Sequence, residues 1–201
     1  MQAINYIILI ITIGLLSSCG NETLIPSDYV AWVNNPENGL LRKKTIHPLE
    51  VELLYKPIAY VIANEMRTND IAEADYKQRE KELAGMQYYT LKLSTAGGKD
   101  ITTYQVNDNA QQQERLSYLS FAMQKDIKLI EGTDTLPCKL YHFERSYDLA
   151  AHRTFVLGFE QKEATKTANK TLVLDLPYFQ TGPIKLNYKT SALEAIPNLK
   201  L

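Results

Sequence analysis

Short runs of alternating apolar and polar residues recur after residue 127, and they restrict the second half of this chain to a fold with several strands. Alternation with a period of two places the apolar side chains on one face of a strand and the polar ones on the other. Strands at this spacing are typical of an antiparallel sheet or a small sandwich. The runs are Ile127–Glu131, Pro137–Arg145, Thr154–Glu160, Thr171–Tyr178 and Ile184–Tyr188.

The first half of the chain mixes one strand with helices. Residues 49–55 alternate as a strand, which Pro57 interrupts. Apolar residues at helical spacing then predict a helix to about Arg67. A second, charged helix is predicted over residues 70–84, because Asp70 and Glu73 have the spacing of a capping box and Gly85 suits a helix end.

A hairpin and a third helix complete the first half. Residues 89–93 alternate, and the turn-rich segment 96–100 is predicted to lead into a second strand over 101–106. Asp108 then begins a helix that ends near Lys125, and its apolar stripe is Leu116, Leu119 and Met123. The predicted fold class is α+β: a strand and helix, a hairpin with two further helices, and a C-terminal antiparallel sheet or small sandwich.

An uncharged apolar segment stands at the start of the chain. It covers residues 6–16, about eleven residues, whereas a membrane-spanning helix needs about 20. Small residues of the kind found at signal-peptidase cleavage sites follow it. This layout predicts a secretory signal peptide over residues 1–18.

The tetrapeptide Leu16-Ser17-Ser18-Cys19 resembles the lipobox of bacterial lipoproteins. In that family the cysteine receives a diacylglyceryl group, the chain is cut before it, and the new amino terminus is acylated. The resemblance implies that Cys19 is the lipidated first residue of the mature chain. It would carry two or three acyl chains, which anchor a protein stably, whereas a single chain binds the membrane only marginally. The opening MQAINY departs from the usual pattern because it holds no Lys or Arg. The alternative is an ordinary buried apolar helix followed by a cysteine.

Gly20 favours the outer membrane, since lipoproteins kept at the inner membrane commonly carry Asp directly after the cysteine. The polar, aperiodic segment 19–28 is predicted to be a tether. A single α+β domain is then expected over residues 29–201. In general character it resembles envelope lipoproteins of Bacteroidota, a resemblance that identifies no site residue.

The charge balance excludes one class of partner. The chain carries 22 Lys and Arg against 23 Asp and Glu, and a nearly neutral chain of this kind is not expected to bind nucleic acid. Arg42-Lys43-Lys44 is interpreted as the solvated start of a strand, with contact to anionic lipid headgroups as the alternative. The expected partners are therefore the membrane, through the anchor, and an envelope protein.

No catalytic or cofactor motif is found in the sequence, so no cofactor, metal or catalytic residue is predicted. The densest group of reactive side chains is Cys138, His142 and Glu144, which would share one face of a strand. Such a group could bind zinc or activate the thiol. Cys138 and His142 would lie about 13 Å apart along the strand, however, so a buried cysteine with a surface histidine and glutamate is preferred.

Asp134-Thr135-Leu136 resembles the Asp-Ser/Thr-apolar sequon at which periplasmic proteins of Bacteroidota are O-glycosylated, which makes Thr135 a candidate site in a predicted turn. Taken together, these features favour a lipid-anchored, non-enzymatic binding or interaction module. Two alternatives stay open: a small hydrolase or thiol enzyme that uses Cys138 and His142, and an envelope assembly or maintenance factor.

Overall fold

Two antiparallel sheets with their apolar faces against each other form most of the described fold. The computed structural model describes residues 22–144 and 152–201. The strands are β1 Thr23–Leu24, β2 Leu41–Ile46, β3 Leu49–Lys56, β4 Met86–Thr95, β5 Ile127–Glu131, β6 Asp134–Pro137, β7 Leu140–Glu144, β8 Arg153–Glu160, β9 Lys170–Leu174, β10 Ile184–Tyr188 and β11 Asn198–Leu199. The helices are α1 Pro26–Asn34, α2 Ile58–Met66, α3 Glu73–Leu83, α4 Asn109–Ser117 and α5 Thr190–Glu194. The predicted α+β class, with antiparallel strands in the C-terminal half, is confirmed.

The two sheets share one core. Their strand orders are β2-β3-β4-β8-β7 and β10-β9-β5-β6, with every neighbouring pair antiparallel. Along the central strand β4, residues alternate between buried and half-buried. The ring of Tyr89 on β4 lies 5.9 Å from that of Tyr188 on β10 and 5.6 Å from that of Phe159 on β8. The sheets therefore form a sandwich filled largely by aromatic and aliphatic side chains.

Several predicted strands are confirmed, and one run divides in two. β3, β5, β8 and β10 lie where alternation predicted them, and β9 ends at Leu174 rather than near Tyr178. The run Pro137–Arg145 is not one strand, because β6 belongs to one sheet and β7 to the other. The chain crosses between the sheets at Cys138 and Lys139. Other groups satisfy its backbone there: Gln124 Nε2 donates to the Cys138 carbonyl (2.9 Å), and the Lys139 N–H donates to the Gly158 carbonyl (2.8 Å).

The first two predicted helices are present, with one difference at a cap. α2 ends as predicted, and Arg67 after it takes a left-handed conformation. α3 begins at Glu73 without a side-chain cap, so the capping role expected of Asp70 is wrong. The Asp70 N–H instead donates to Thr68 Oγ1 at 3.1 Å. Gly85 has a φ of 80°, which suits the predicted helix end.

The predicted hairpin after β4 is wrong. Residues 101–105 form turns, and β4 pairs with β3 on one side and β8 on the other. Ile101 is fully buried in the protein interior, not on a strand, and the neighbouring Asp100 is bound by Arg153 of β8. The burial of Ile101 and the Asp100–Arg153 ion pair thus hold this segment in turns where a second strand was predicted.

The third predicted helix changes its winding along its length. Asp108 caps α4 as predicted, because its carboxylate accepts the Gln111 N–H at 2.8 Å. After Ser117 a π-helical segment covers Tyr118–Ala122, and a 3₁₀ segment covers Met123–Asp126. The change of period leaves Leu116 44% exposed while Met123 is fully buried.

Residues 22–28 belong to the fold, although they were expected to be part of a tether over 19–28. β1 pairs in parallel with β11, and the Asn198 N–H donates to the Glu22 carbonyl at 2.8 Å. α1 begins at Pro26, which is buried. The folded domain therefore starts six residues earlier than Tyr29, at Thr23. Residues 19–21, the signal peptide and Cys19 lie outside the described residues.

Candidate functional site

A basic groove lies where the edges of the two sheets meet. β2 is the edge strand of the first sheet and β10 is that of the second, and Cα atoms of the two strands approach within 8 Å. The groove measures about 280 Å³, and among the residues that the structure describes its lining holds no carboxylate. The polar side chains that line it are Arg42, Lys43, Lys44, Lys185, Asn187 and Lys189.

The alternation of β2 explains why cations reach this edge. Arg42 pairs with Leu53 and Lys44 with Val51, so both face the same side of the sheet as the core residues of β3. At the edge, that side meets β10 rather than more apolar chain. Lys44 Nζ donates to the Lys185 carbonyl at 3.2 Å, which joins the two edges.

Arg42 is the least satisfied cation in the groove. Its guanidinium lies 5.9 Å from the centre of the Tyr188 ring, a cation–π contact. Its Nε is shielded from solvent and has no hydrogen-bond partner in the described part of the chain. An anion in the groove would therefore be bound by the Nη groups rather than by the enclosed Nε.

Arg115 provides a comparison within the same chain. Its Nε is also unpaired, but its Nη1 donates to the Ile101 carbonyl at 3.1 Å and to the Tyr104 carbonyl at 3.3 Å. Its guanidinium lies 4.8 Å from the Tyr178 ring centre and 4.9 Å from that of Phe179. Arg115 therefore has a structural role, whereas the Arg42 guanidinium contacts one ring and no hydrogen bond from it to a carbonyl is found in the described part of the chain.

A second groove, of about 390 Å³, shares Lys43 and Lys44 with the basic groove and runs over the outer face of the first sheet. There, Glu52 Oε2 pairs with Lys43 at 2.8 Å and Glu52 Oε1 pairs with Lys92 at 3.2 Å. Partial burial would raise the pKa of Glu52, but hydrogen bonds from the two lysines outweigh it and hold the pKa below its usual value. Glu52 thus balances charge on this surface, whereas the described lining of the basic groove holds no carboxylate.

A buried polar network lies between the sheets. Glu131 on β5 accepts hydrogen bonds from Lys170 on β9, from Gln87 Nε2 on β4 at 2.7 Å, and from Thr165 Oγ1 at 2.6 Å. Burial would raise the pKa of Glu131, but these donors hold it below its usual value. Burial lowers the pKa of Lys170. Both charges are fully enclosed, so this network joins the sheets rather than meeting a ligand.

Cys138 is buried at the crossing between the sheets. Its thiol donates to the Leu140 carbonyl at 3.0 Å, and burial raises the pKa of the thiol to about 11. Beside it, Phe121 of the π-helical segment is 78% exposed and lines a groove of about 340 Å³. A thiol with such a pKa is almost entirely protonated at neutral pH and is a poor nucleophile.

The structure does not bring the reactive side chains of this region together. His142 and Glu144 are exposed on β7, whereas Cys138 is buried before that strand begins. No hydrogen bond joins the three side chains in the described part of the chain. Thr135 is exposed on β6, one residue after Asp134, whose carboxylate pairs with Lys162 at 2.6 Å. Thr135 is thus accessible, on a strand rather than in the predicted turn.

Sequence reasoning noticed three residues of the basic groove and missed the others. Arg42, Lys43 and Lys44 stand next to one another, so they were visible as a run of cations. Lys185 and Lys189 lie about 140 residues further along the chain, on a strand whose edge position is set by its pairing with β9. The available signal was that Lys185 lies within a predicted strand and Lys189 directly after it, with no acidic residue in that strand.

The chain matches no protein-family model, no curated protein and no solved structure. Across residues 22–144 and 152–201, no helix is long and apolar enough to cross a membrane. The same residues contain no group of three or more His, Cys, Asp or Glu side chains placed to hold a metal ion.

Proposed function

We propose that this protein is a lipid-anchored module of the bacterial cell envelope that binds a negatively charged partner in its basic groove and does not transform a substrate. The anchor is Cys19, within its lipobox-like sequence, and Gly20 favours the outer membrane. The observation that carries the proposal is the groove itself: Arg42, Lys44, Lys185 and Lys189 gather there without a carboxylate in the described lining, in a chain whose net charge is −1.

The short distance between Cys19 and the fold supports the anchor. The fold begins at Thr23, so only two residues separate Cys19 from Glu22, and the three steps between them span at most about 11 Å. The domain is held close to the membrane, not on a long tether. An envelope molecule with negative charge would meet the groove at that surface.

The chemistry of Cys138 favours a binding role over a thiol enzyme. Its raised pKa leaves little thiolate at neutral pH, and His142 is exposed on a different element. A nucleophilic cysteine needs the opposite, namely a lowered pKa and an adjacent base. Neither of these groups contributes to the basic groove.

Intact mass of the membrane-extracted protein tests the anchor. We expect a chain that begins at an acylated Cys19, and a Cys19→Ser variant that lacks the added mass. An unmodified Cys19 with residues 1–18 still attached would refute the anchor.

Capture from solubilised envelopes tests the groove. The wild-type chain is expected to retain an anionic component that a Lys44→Gln/Lys185→Gln variant loses. A Lys77→Gln/Lys81→Gln variant is the matched control, because it removes the same charge from the exposed face of α3. Equal retention by all three chains would contradict a role for the groove.

A further inference from the structure

We infer that the ligand of the basic groove is the phosphate group of anionic lipid headgroups, in the same leaflet that holds the anchor. This inference rests on the proposed function and assigns a ligand class to its site. It follows from the donors in the groove, from its size, and from its position relative to residue 22.

The donors fit a phosphate. Arg42 contributes a planar guanidinium to the lining, and the Nη groups of such a fork pair well with phosphate oxygens. Lys185 and Lys189 are exposed, and in the described residues neither side chain is engaged by an acceptor. Ammonium groups bind phosphate as point charges. The groove thus combines one directional donor with several charges.

The size of the groove favours a small group. Pockets for drug-sized ligands have volumes of about 300–1,000 Å³ and are lined mainly by apolar side chains. This groove is about 280 Å³, and Leu186 is the apolar member of its lining. It can take a headgroup phosphate, while the rest of the lipid stays outside.

A chain path connects the groove to the start of the domain. From Lys189 the chain runs through α5 to Asn198, whose N–H donates to the Glu22 carbonyl. With five helical residues and four others, that path spans at most about 22 Å. The groove is therefore within reach of a membrane that holds Cys19, and the labelling experiment below tests whether it faces that membrane.

Lysines on edge strands also have a protective role, since they discourage pairing with another sheet. That role accounts for Lys43 and Lys44 on β2 and for Lys185 on β10. It does not account for Arg42, whose guanidinium lies over the Tyr188 ring. A bound anion gives the cations of the groove a common partner.

Because the anchor already holds the chain at the membrane, even a weak site in the groove is enough to bind lipid headgroups. Each cation near an anionic surface strengthens attachment by about fivefold. A short tether gives the groove an effective lipid concentration of about the millimolar range or higher. The groove therefore orients the anchored domain on the membrane rather than attaching it.

Lysine labelling of the full, lipidated chain in vesicles tests this inference. The chain is reconstituted into phosphatidylcholine vesicles with or without phosphatidylglycerol, treated briefly with an amine-acylating reagent, and mapped by mass spectrometry. We expect labelling of Lys44, Lys185 and Lys189 to fall about fivefold when phosphatidylglycerol is present. Lys77 and Lys81 on α3 serve as internal controls, and their labelling should not change.

Two variants separate the groove from general charge effects. Arg42→Gln should restore labelling of Lys44 and Lys185 in the anionic vesicles, and so should Asn187→Asp, which adds a carboxylate to the lining without touching Arg42. The control Arg79→Gln removes a half-buried arginine on α3 that pairs with Glu65 and Glu82, away from the groove, and should leave the protection intact. Equal protection in all variants would overturn the inference.

The remaining comparisons distinguish other causes of protection from labelling. If inorganic phosphate protects these lysines from labelling on neutral vesicles, at matched ionic strength, the groove is a small-anion site and the lipid assignment is overturned. Equal labelling with and without phosphatidylglycerol, on a chain shown by mass to be lipidated, would refute the inference and leave the proposed function standing. A chain without lipid would refute the anchor itself.

Discussion

Gln87 on β4 donates a 2.7 Å hydrogen bond to Glu131 on β5, and so links one sheet of the sandwich to the other. Gln87 also accepts the Tyr89 hydroxyl at 2.9 Å and donates to the Glu160 carbonyl at 3.0 Å. With Lys170 on the other side of Glu131, every charged group at this position has a partner. A buried pair of this kind is strongly destabilising only when one member is removed.

Glu131→Gln is therefore expected to lower the free energy of unfolding by about 3–5 kcal/mol, because it leaves the Lys170 charge buried without a counter-charge. The double variant Glu131→Leu/Lys170→Met should recover most of that loss. Urea unfolding measures both, with the exposed Glu160→Gln as a control. A double variant as unstable as the sum of its single variants would contradict the coupling.

The Asp100–Arg153 pair predicts a loss of stability in acid. Partial burial would raise the pKa of Asp100, but Arg153 and the Thr102 N–H hold it below its usual value. The unfolded chain then takes up the proton first, so this carboxylate stabilises the fold above the ordinary Asp pKa of about 3.9 and ceases to do so as pH falls further. We expect the wild-type chain to exceed Asp100→Asn in unfolding free energy at pH 7 and to approach it below about pH 3.9. A difference that stays constant with pH would argue against the ion pair.

Cys138 is expected to react slowly with thiol reagents. At a pKa of about 11 the thiolate fraction at pH 7 is far below that of an ordinary cysteine, so the reaction should be about 100-fold slower than that of free cysteine. Unfolding in urea should restore the ordinary rate. A fast reaction of the native chain at neutral pH would revive the thiol-enzyme alternative, which depends on Cys138 and His142.

Replacement of Arg115 by lysine is not expected to be conservative. Arg115→Lys keeps the charge but loses the contact with two aromatic rings and the Nη1 bonds to two carbonyls, so a loss of about 2–3 kcal/mol is expected. Thermal unfolding measures it, with the exposed Arg67→Lys as the matched control. Equal midpoints for the two variants would show that the stacked guanidinium contributes little.

Local patterns predicted the strands because burial on one face of a strand repeats every second residue. They failed where a tertiary contact decided the outcome. Asp100 ends the predicted turn and Ile101 begins the predicted second strand. The burial of Ile101 and the ion pair of Asp100 with Arg153 instead hold this segment in turns. The prediction that Leu116 lies on the buried stripe is wrong for another reason, because a π-helical segment changes the period of the helix after it.

The candidate site was predictable only in part. Arg42, Lys43 and Lys44 are adjacent in sequence, but a run of cations on a strand has the same appearance whether it binds an anion or faces water. What distinguishes the two is the meeting of β2 with β10, which brings Lys185 within 3.2 Å of Lys44. That meeting depends on how two sheets pack, and no local pattern encodes it.

The parallel pairing of β1 with β11 has a mechanical consequence. The pair is held by the bond from Asn198 to Glu22 and by a second 2.8 Å bond from the Lys200 N–H to the Leu24 carbonyl. Tension applied to the chain ahead of residue 22 would act on these two hydrogen bonds before it strained the sandwich. The β1–β11 pair is thus the first element to yield under force, and its rupture would lengthen the link to the pulling point while leaving both sheets intact.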